Sequence, residues 1–181
     1  MVLTRTALGR LAALATLALG PACLPDPFRG SEVVLELGTA NANDLQSRAT
    51  QHYELFAQIN GGLVSLGSFK VTETLEVLDF PSNEKLGVAN RPSADGLPQR
   101  GFSLVTPANL ADADALLLSV EADGETDPTP SDLIVGRCEL APGRRSTLAC
   151  DFEGEVITLA SVPVPLVDSR ATVVLGEDEA P

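Results

Sequence analysis

Few side chains in this chain are equipped for chemistry, and their spacing limits what that chemistry can be. The one histidine, His52, sits beside Tyr53 where an apolar–polar alternation begins. Histidine is the commonest general base near neutral pH, but a base needs a nucleophile to activate. Ser65 stands in Leu63-Val64-Ser65-Leu66-Gly67, which lacks the Gly-x-Ser-x-Gly turn that exposes a catalytic serine. A plain surface histidine is the expectation, and no catalytic residue is assigned. Glu121, Asp123, Glu125, Asp127 and Asp132 crowd one short segment. Of these, Asp123, Glu125, Asp127 and Asp132 are the candidate calcium ligands, being hard oxygen donors. Their spacing is not that of an EF-hand loop, because Gly124 comes too early and a closing Glu is missing. The plainer expectation is a solvated loop that keeps a strand end from pairing with other chains. A zinc site would want clustered Cys and His. No metal or cofactor is therefore expected. Arg144 and Arg145 make a local basic spot that could dock an acidic partner or a phosphate-bearing envelope polymer. The alternative is two turn residues pointing into water.

The three cysteines carry more information. Cys138 and Cys150 flank Ala141-Pro142-Gly143-Arg144-Arg145-Ser146 almost symmetrically. If Leu133–Leu140 and Ser146–Phe152 form a hairpin, the two cysteines face each other across it. Cross-strand Cα atoms lie about 4.5–5.5 Å apart, within disulfide reach. Such a bond persists in an oxidising compartment. Pairing these two leaves Cys23 alone.

Cys23 ends a segment with the layout of an export signal. Arg5 and Arg10 precede an apolar run from Leu11 to Leu19, followed by Gly20, Pro21 and Ala22. The run is shorter than the roughly 20 residues needed to span a bilayer. The segment resembles the lipobox of bacterial lipoproteins, in which cleavage precedes a cysteine whose thiol is acylated. Ala22 matches that pattern, whereas Leu19 stands four before the cysteine and Gly20 three before it. The resemblance implies residues 1–22 as a lipoprotein signal peptide and Cys23 as the site of lipidation. Ordinary cleavage after Gly20-Pro21-Ala22, releasing a soluble secreted protein, stays open.

Composition agrees with a module outside the cytoplasm. The formal charge is −13, and loss of Arg5 and Arg10 with the leader makes the remainder more acidic. Such a surface repels nucleic-acid phosphates and anionic lipid head groups. Nucleic acid is therefore excluded as a partner, and membrane attachment would have to come from acyl chains. Trp is absent and aromatics make up 4% of the chain, which leaves no stacking platform for sugars or bases.

The elements that must position these residues read as strands. Residues 23–30 carry two prolines and form a tether. Residues 31–176 are the domain, and 177–181 an acidic tail. Strands are expected at Glu32–Leu37, Tyr53–Ile59, Leu63–Val71, Thr74–Phe80, Phe102–Val105, Ala115–Val120, the two cysteine-bearing segments, Val156–Val162 and Ala171–Leu175. Asn60-Gly61-Gly62 between two period-2 runs is the strongest hairpin signal. Asn41–Ala49 reads as a loop or one helical turn, Pro81–Arg100 as a long exposed loop, and Asp123–Ser131 as an acidic loop. Many short strands separated by turn residues predict an all-β chain, an antiparallel β-sandwich of immunoglobulin-like or related type.

Two stretches resemble the extracytoplasmic C-terminal domain of anti-sigma-K-type anti-sigma factors. The first is Tyr53-Glu54-Leu55-Phe56-Ala57-Gln58-Ile59, Gly61-Gly62 and Val64-Ser65-Leu66-Gly67-Ser68-Phe69, with Phe56 where that family usually has Trp. The second runs from Ala113 through Glu121 and Gly124 to Pro128-Thr129-Pro130 and Leu133-Ile134-Val135-Gly136. The resemblance covers under half of the mature chain. It implies a β-sandwich outside the cytoplasm and no sigma-factor binding, which in that family belongs to a cytoplasmic domain. Together these readings imply a non-enzymatic, lipid-anchored envelope module that binds, scaffolds or senses. Its partner would be an unidentified envelope protein or polymer, at the outer membrane where the host has one. A soluble secreted protein and a calcium-dependent or hydrolytic envelope enzyme are the alternatives.

Overall fold

The computed structural model describes residues 30–86, 88–89 (backbone only), 101–125, 129–141 and 147–175. Residues 1–22, Cys23, Asp127, Arg144, Arg145 and the tail 177–181 lie outside the described residues. Among the described residues no helix is long and apolar enough to cross a membrane.

Among the described residues the domain is built of twelve strands: β1 (Ser31–Glu36), β2 (Gln51–Ile59), β3 (Gly62–Val71), β4 (Val77–Phe80), β5 (Val88–Ala89), β6 (Gly101–Thr106), β7 (Ala113–Ala122), β8 (Ile134–Glu139), β9 (Thr147–Asp151), β10 (Glu155–Ile157), β11 (Pro163–Pro165) and β12 (Arg170–Val174). They form two five-stranded antiparallel sheets, β5-β6-β1-β12-β9 and β4-β3-β2-β7-β8, packed as a sandwich, with β10-β11 as a separate ribbon. The antiparallel β-sandwich read from the turn-punctuated strands is the fold. Alternation explains the inner faces. Val33 and Leu35 of β1, Ala171 and Val173 of β12, and Leu148 and Cys150 of β9 all point inward and are buried. Phe69 packs on Tyr53 (ring centroids 5.4 Å) within one sheet and on Phe102 (4.6 Å) of the other, joining the sheets at the centre of the core. The apolar run of β7 is buried on both faces. Leu116 and Leu118 face the core, while Ala115 and Leu117 join Phe56 in a second buried cluster on the opposite face.

The expected β2–β3 hairpin forms at Asn60-Gly61-Gly62, but its register is not continuous. Leu55 pairs with Gly67 and Phe56 with Ser65, which leaves Leu66 as an extra residue in a bulge. Gly67, at φ 147°, takes a backbone conformation that other residues rarely adopt. The bulge shifts the far half of β3 by one position. Phe69 thereby lies opposite Tyr53 and enters the core, and Lys70 turns outward beside His52.

Four expectations change. Cys138 and Cys150 are not neighbours in a hairpin: β8 is the edge strand of one sheet and β9 the edge strand of the other. β8 ends at Glu139 in one sheet and β9 begins at Thr147 in the other, so the two strands do not form the expected hairpin. Val156–Val162 is not one strand but one arm and the tip of the β10–β11 hairpin. Its return is bonded from Thr158 N–H to Val162 O at 3.0 Å. β4 starts only at Val77, because Thr72 and Glu76 close a turn that holds Leu75 at φ 61°. Within the expected loop after Pro81, Val88–Ala89 pairs with β6.

Candidate functional site

The Cys138–Cys150 disulfide is present, with Cα atoms 5.6 Å apart. It joins the two edge strands on one side of the sandwich, both cysteines being buried. Beside it, Arg137 and Glu153 exchange backbone hydrogen bonds of 2.9 Å in each direction. That side of the sandwich is therefore closed covalently and by hydrogen bonds, and neither cysteine is exposed for exchange chemistry.

The charged and ring side chains converge at the end of the sandwich where β2 begins and β7 ends. His52 is not at the surface, as its sequence context suggested, but is 5% exposed. Phe80, brought in by β4, stacks on its ring at 4.1 Å. His52 Nδ1 lies 3.2 Å from Asp123 Oδ1 and Nε2 lies 3.8 Å from Glu54 Oε2. Lys70 Nζ reaches Asp123 Oδ2 at 2.6 Å and sits 4.8 Å from the Phe80 ring centroid. The hydrogen bond from Lys70, with a smaller one from His52, holds the Asp123 carboxyl below the usual carboxylate range, partly opposed by desolvation. Ser65 Oγ donates to Glu54. Each His52 nitrogen thus faces a carboxylate, and no hydroxyl among the described residues is hydrogen-bonded to the ring. The set works as a clamp. It fixes Asp123, whose N–H also donates to Thr50 O at 2.9 Å, at the start of the acidic loop.

The other end of that loop is fixed as well. The buried carboxylate of Glu121 accepts from Ser131 N–H at 2.9 Å and from Ser119 Oγ, and Ser131 Oγ donates to Val120 O at 2.8 Å. Of the candidate calcium ligands, Asp123 is engaged by Lys70 and His52, Glu125 and Asp132 are exposed, and Asp127 is outside the described residues. Among the described residues no group of three or more His, Cys, Asp or Glu is placed to hold a metal ion. The acids that the structure describes as engaged serve as loop anchors.

A cavity of about 20 Å³ lies between the start of β2 and the β10–β11 hairpin, lined by residues including Arg48, Gln51, His52, Tyr53, Val120 and Ile157. That is room for roughly one water, far below the several hundred Å³ of a small-molecule pocket. Tyr53 stands in this wall with its ring in the core, and burial pushes its hydroxyl up to about 12.

Beside the cavity the hairpin is tied to the body at both ends. Arg48 donates to Thr158 O at 3.1 Å and to Ser161 Oγ at 3.2 Å, fixing the tip. Val156 of the hairpin is buried, while Ile157 at the cavity wall and Leu159 and Val162 at the tip are exposed.

The sequence reading missed the partners of His52. One signal was present: in a period-2 strand, Leu66 and Phe69 cannot share a face unless a residue is inserted, and Gly67 between them is where a bulge is easiest. That phase change puts Lys70 on the face of His52. No protein-family model matches the chain, and no curated protein matches it either.

Proposed function

We propose that this chain is a non-enzymatic β-sandwich lipoprotein of the cell envelope, anchored through Cys23 on the extracytoplasmic side, whose domain binds another envelope component. One observation carries the reading. Cys138 and Cys150 are consumed in a buried bond between the two sheets, a bond that persists in oxidising compartments. Cys23, at the end of a signal-like segment, is thereby left without a pairing partner in the chain. A His52 with a carboxylate at each nitrogen and a cavity with room for about one water favour binding by surface over chemistry on a small substrate. The resemblance to the extracytoplasmic domain of anti-sigma-K-type factors supports the location and implies no sigma-factor contact. Leu24 after the cysteine, in place of Asp, favours the outer membrane where one exists.

The test is cross-linking in intact cells, comparing the native chain with Cys23→Ala, alongside metabolic labelling with a palmitate analogue. Label on the native chain alone, with a specific envelope protein captured only when Cys23 is present, is the expected result. Equal release of both chains into the medium without label would replace the lipoprotein by a soluble secreted protein, the outcome that Pro21 before the cysteine favours.

A further inference from the structure

From Val156 to Val167 the chain carries no charged residue, in a protein of formal charge −13. This stretch is the β10–β11 hairpin, and it is exposed: Ile157 42%, Leu159 54%, Val162 52% and, at its base, Val167 41%. Single exposed apolar residues are ordinary, but several on one uncharged hairpin are the kind of apolar surface that marks an interaction site. The ribbon is also preorganised. Thr158 and Val162 close the tip, Ser161 holds φ 61°, and Arg48 ties the turn to the body. Its backbone therefore loses little freedom on binding.

The chemistry of the ribbon narrows how it binds. Pro163 and Pro165 lie opposite Ile157 and Glu155, while the bonded positions fall between and beyond them, at Gly154–Leu166 and Thr158–Val162. The two prolines thus occupy the positions whose N–H would point away from β10. The β11 edge therefore offers no donor to an added strand, which favours docking through side chains. Exposed acids surround the base: Glu153 and Glu155 on the way in and Asp168 on the way out. None of them is ion-paired among the described residues. A second copy docked hairpin to hairpin would set these acids against their equivalents, and an anionic lipid surface would be repelled likewise. Position argues the same way. The hairpin base meets Gly38 and Thr39, where Val167 N–H donates to Gly38 O, at the opposite end of β1 from Gly30. At about 3.3 Å per residue that is about 25 Å from where the tether joins.

We propose that the β10–β11 hairpin docks a protein partner whose contact surface is apolar at its centre and lined with Lys and Arg at its rim. This deepens the binding-module reading and rests on it for the existence of an envelope partner, though the hairpin itself does not require an acylated Cys23.

The experiment places a photo-reactive amino acid at Leu159, at Val162 and, as a control on the far sheet, at Val105, which is 76% exposed. Each full-length chain is irradiated in intact cells. The expected result is one adduct of defined mass from positions 159 and 162 and none from 105, with the partner's cross-linked peptide containing apolar residues beside Lys or Arg. Yield should fall about five-fold or more in Glu155→Lys/Asp168→Lys, and should fall with salt in isolated envelopes. Adducts of twice the chain mass, lipid adducts, equal labelling from Val105, no adduct, or a cross-linked peptide without basic residues would each overturn the proposal. The salt dependence gives the same reading should the charge-reversed chain fold poorly. The Leu159 probe in a Cys23→Ala background separates the two claims. A retained adduct from an unlipidated chain leaves hairpin docking standing and removes the anchor.

Discussion

Replacing both cysteines, Cys138→Ala/Cys150→Ala, tests the link between the sheets most directly. The cross-link closes a loop with a sequence separation of 12. By the chain-entropy relation, releasing such a loop in the unfolded state is worth about 3 kcal/mol. For a domain of this size each kcal/mol moves the melting temperature by roughly 2–4 °C, so a drop of roughly 6–12 °C is expected. The denaturant slope should rise, because the unfolded chain becomes more extended. The topology adds a second, local signature. β8 and β9 are each the outermost strand of a sheet, with a strand partner on one side only. Without the bond, amide exchange should accelerate at Ile134–Glu139 and Thr147–Asp151 while the central β1 and β2 keep their protection. A melting temperature unchanged in the double variant would refute the reasoning. So would loss of protection confined to one of the two strands, because a staple between sheets must loosen both.

The alkaline limb of stability can be read through one group. Tyr53 is the only tyrosine and Trp is absent, so absorbance at 295 nm reports Tyr53 alone. Its folded value of about 12 lies above the ordinary value of 10.0. Its contribution, about 3 kcal/mol from a shift of this size, is therefore whole below pH 10 and lost as pH rises through 12; a midpoint near 10 in the folded protein would contradict its burial. Asp123 sets the opposite limb. Its carboxyl is held low by Lys70, so the stability it contributes is complete above the ordinary carboxylate range and lost as pH falls through the lowered folded value. Urea midpoints of Lys70→Met should accordingly fall less between pH 6 and pH 3 than those of the native chain. His52→Ala should destabilise by about 1–3 kcal/mol in urea unfolding, since it removes the Phe80 stack and a partner of Asp123; no change would mean that the clamp does not hold the loop. Finally, Gly154→Ala should prevent folding or cost well over about 3 kcal/mol, because a Cβ there meets Val135 O at 2.2 Å at φ 153°. Gly124→Ala, at φ 87° with open space, should cost only about 1 kcal/mol by thermal melting.

The order and character of the strands were legible in the sequence because they depend on short-range pattern. The apolar-rich Glu32–Leu37, the two alternating runs around Asn60-Gly61-Gly62 and the apolar Ala115–Val120 each show a strand character and an end within a few residues. The pairing of Cys138 with Cys150 was legible too, by number and spacing. What the sequence could not decide is which sheet each strand joins. The turn at 141–146 permits a hairpin or a crossover equally, and either brings the two cysteines within disulfide reach. The choice falls to the core: Leu148 and Cys150 bury their faces by pairing with β12 and Leu116 pairs with Cys138, partners far away in the chain. The environment of His52 was hidden for the same reason. Lys70, Phe80 and Asp123 come from three other segments, and they meet only because a bulge of one residue at Leu66 turns half of β3 over. Local chemistry is written in order along the chain, but the site is made by register and by the sheet each strand enters, and those are settled by burial summed over the whole domain.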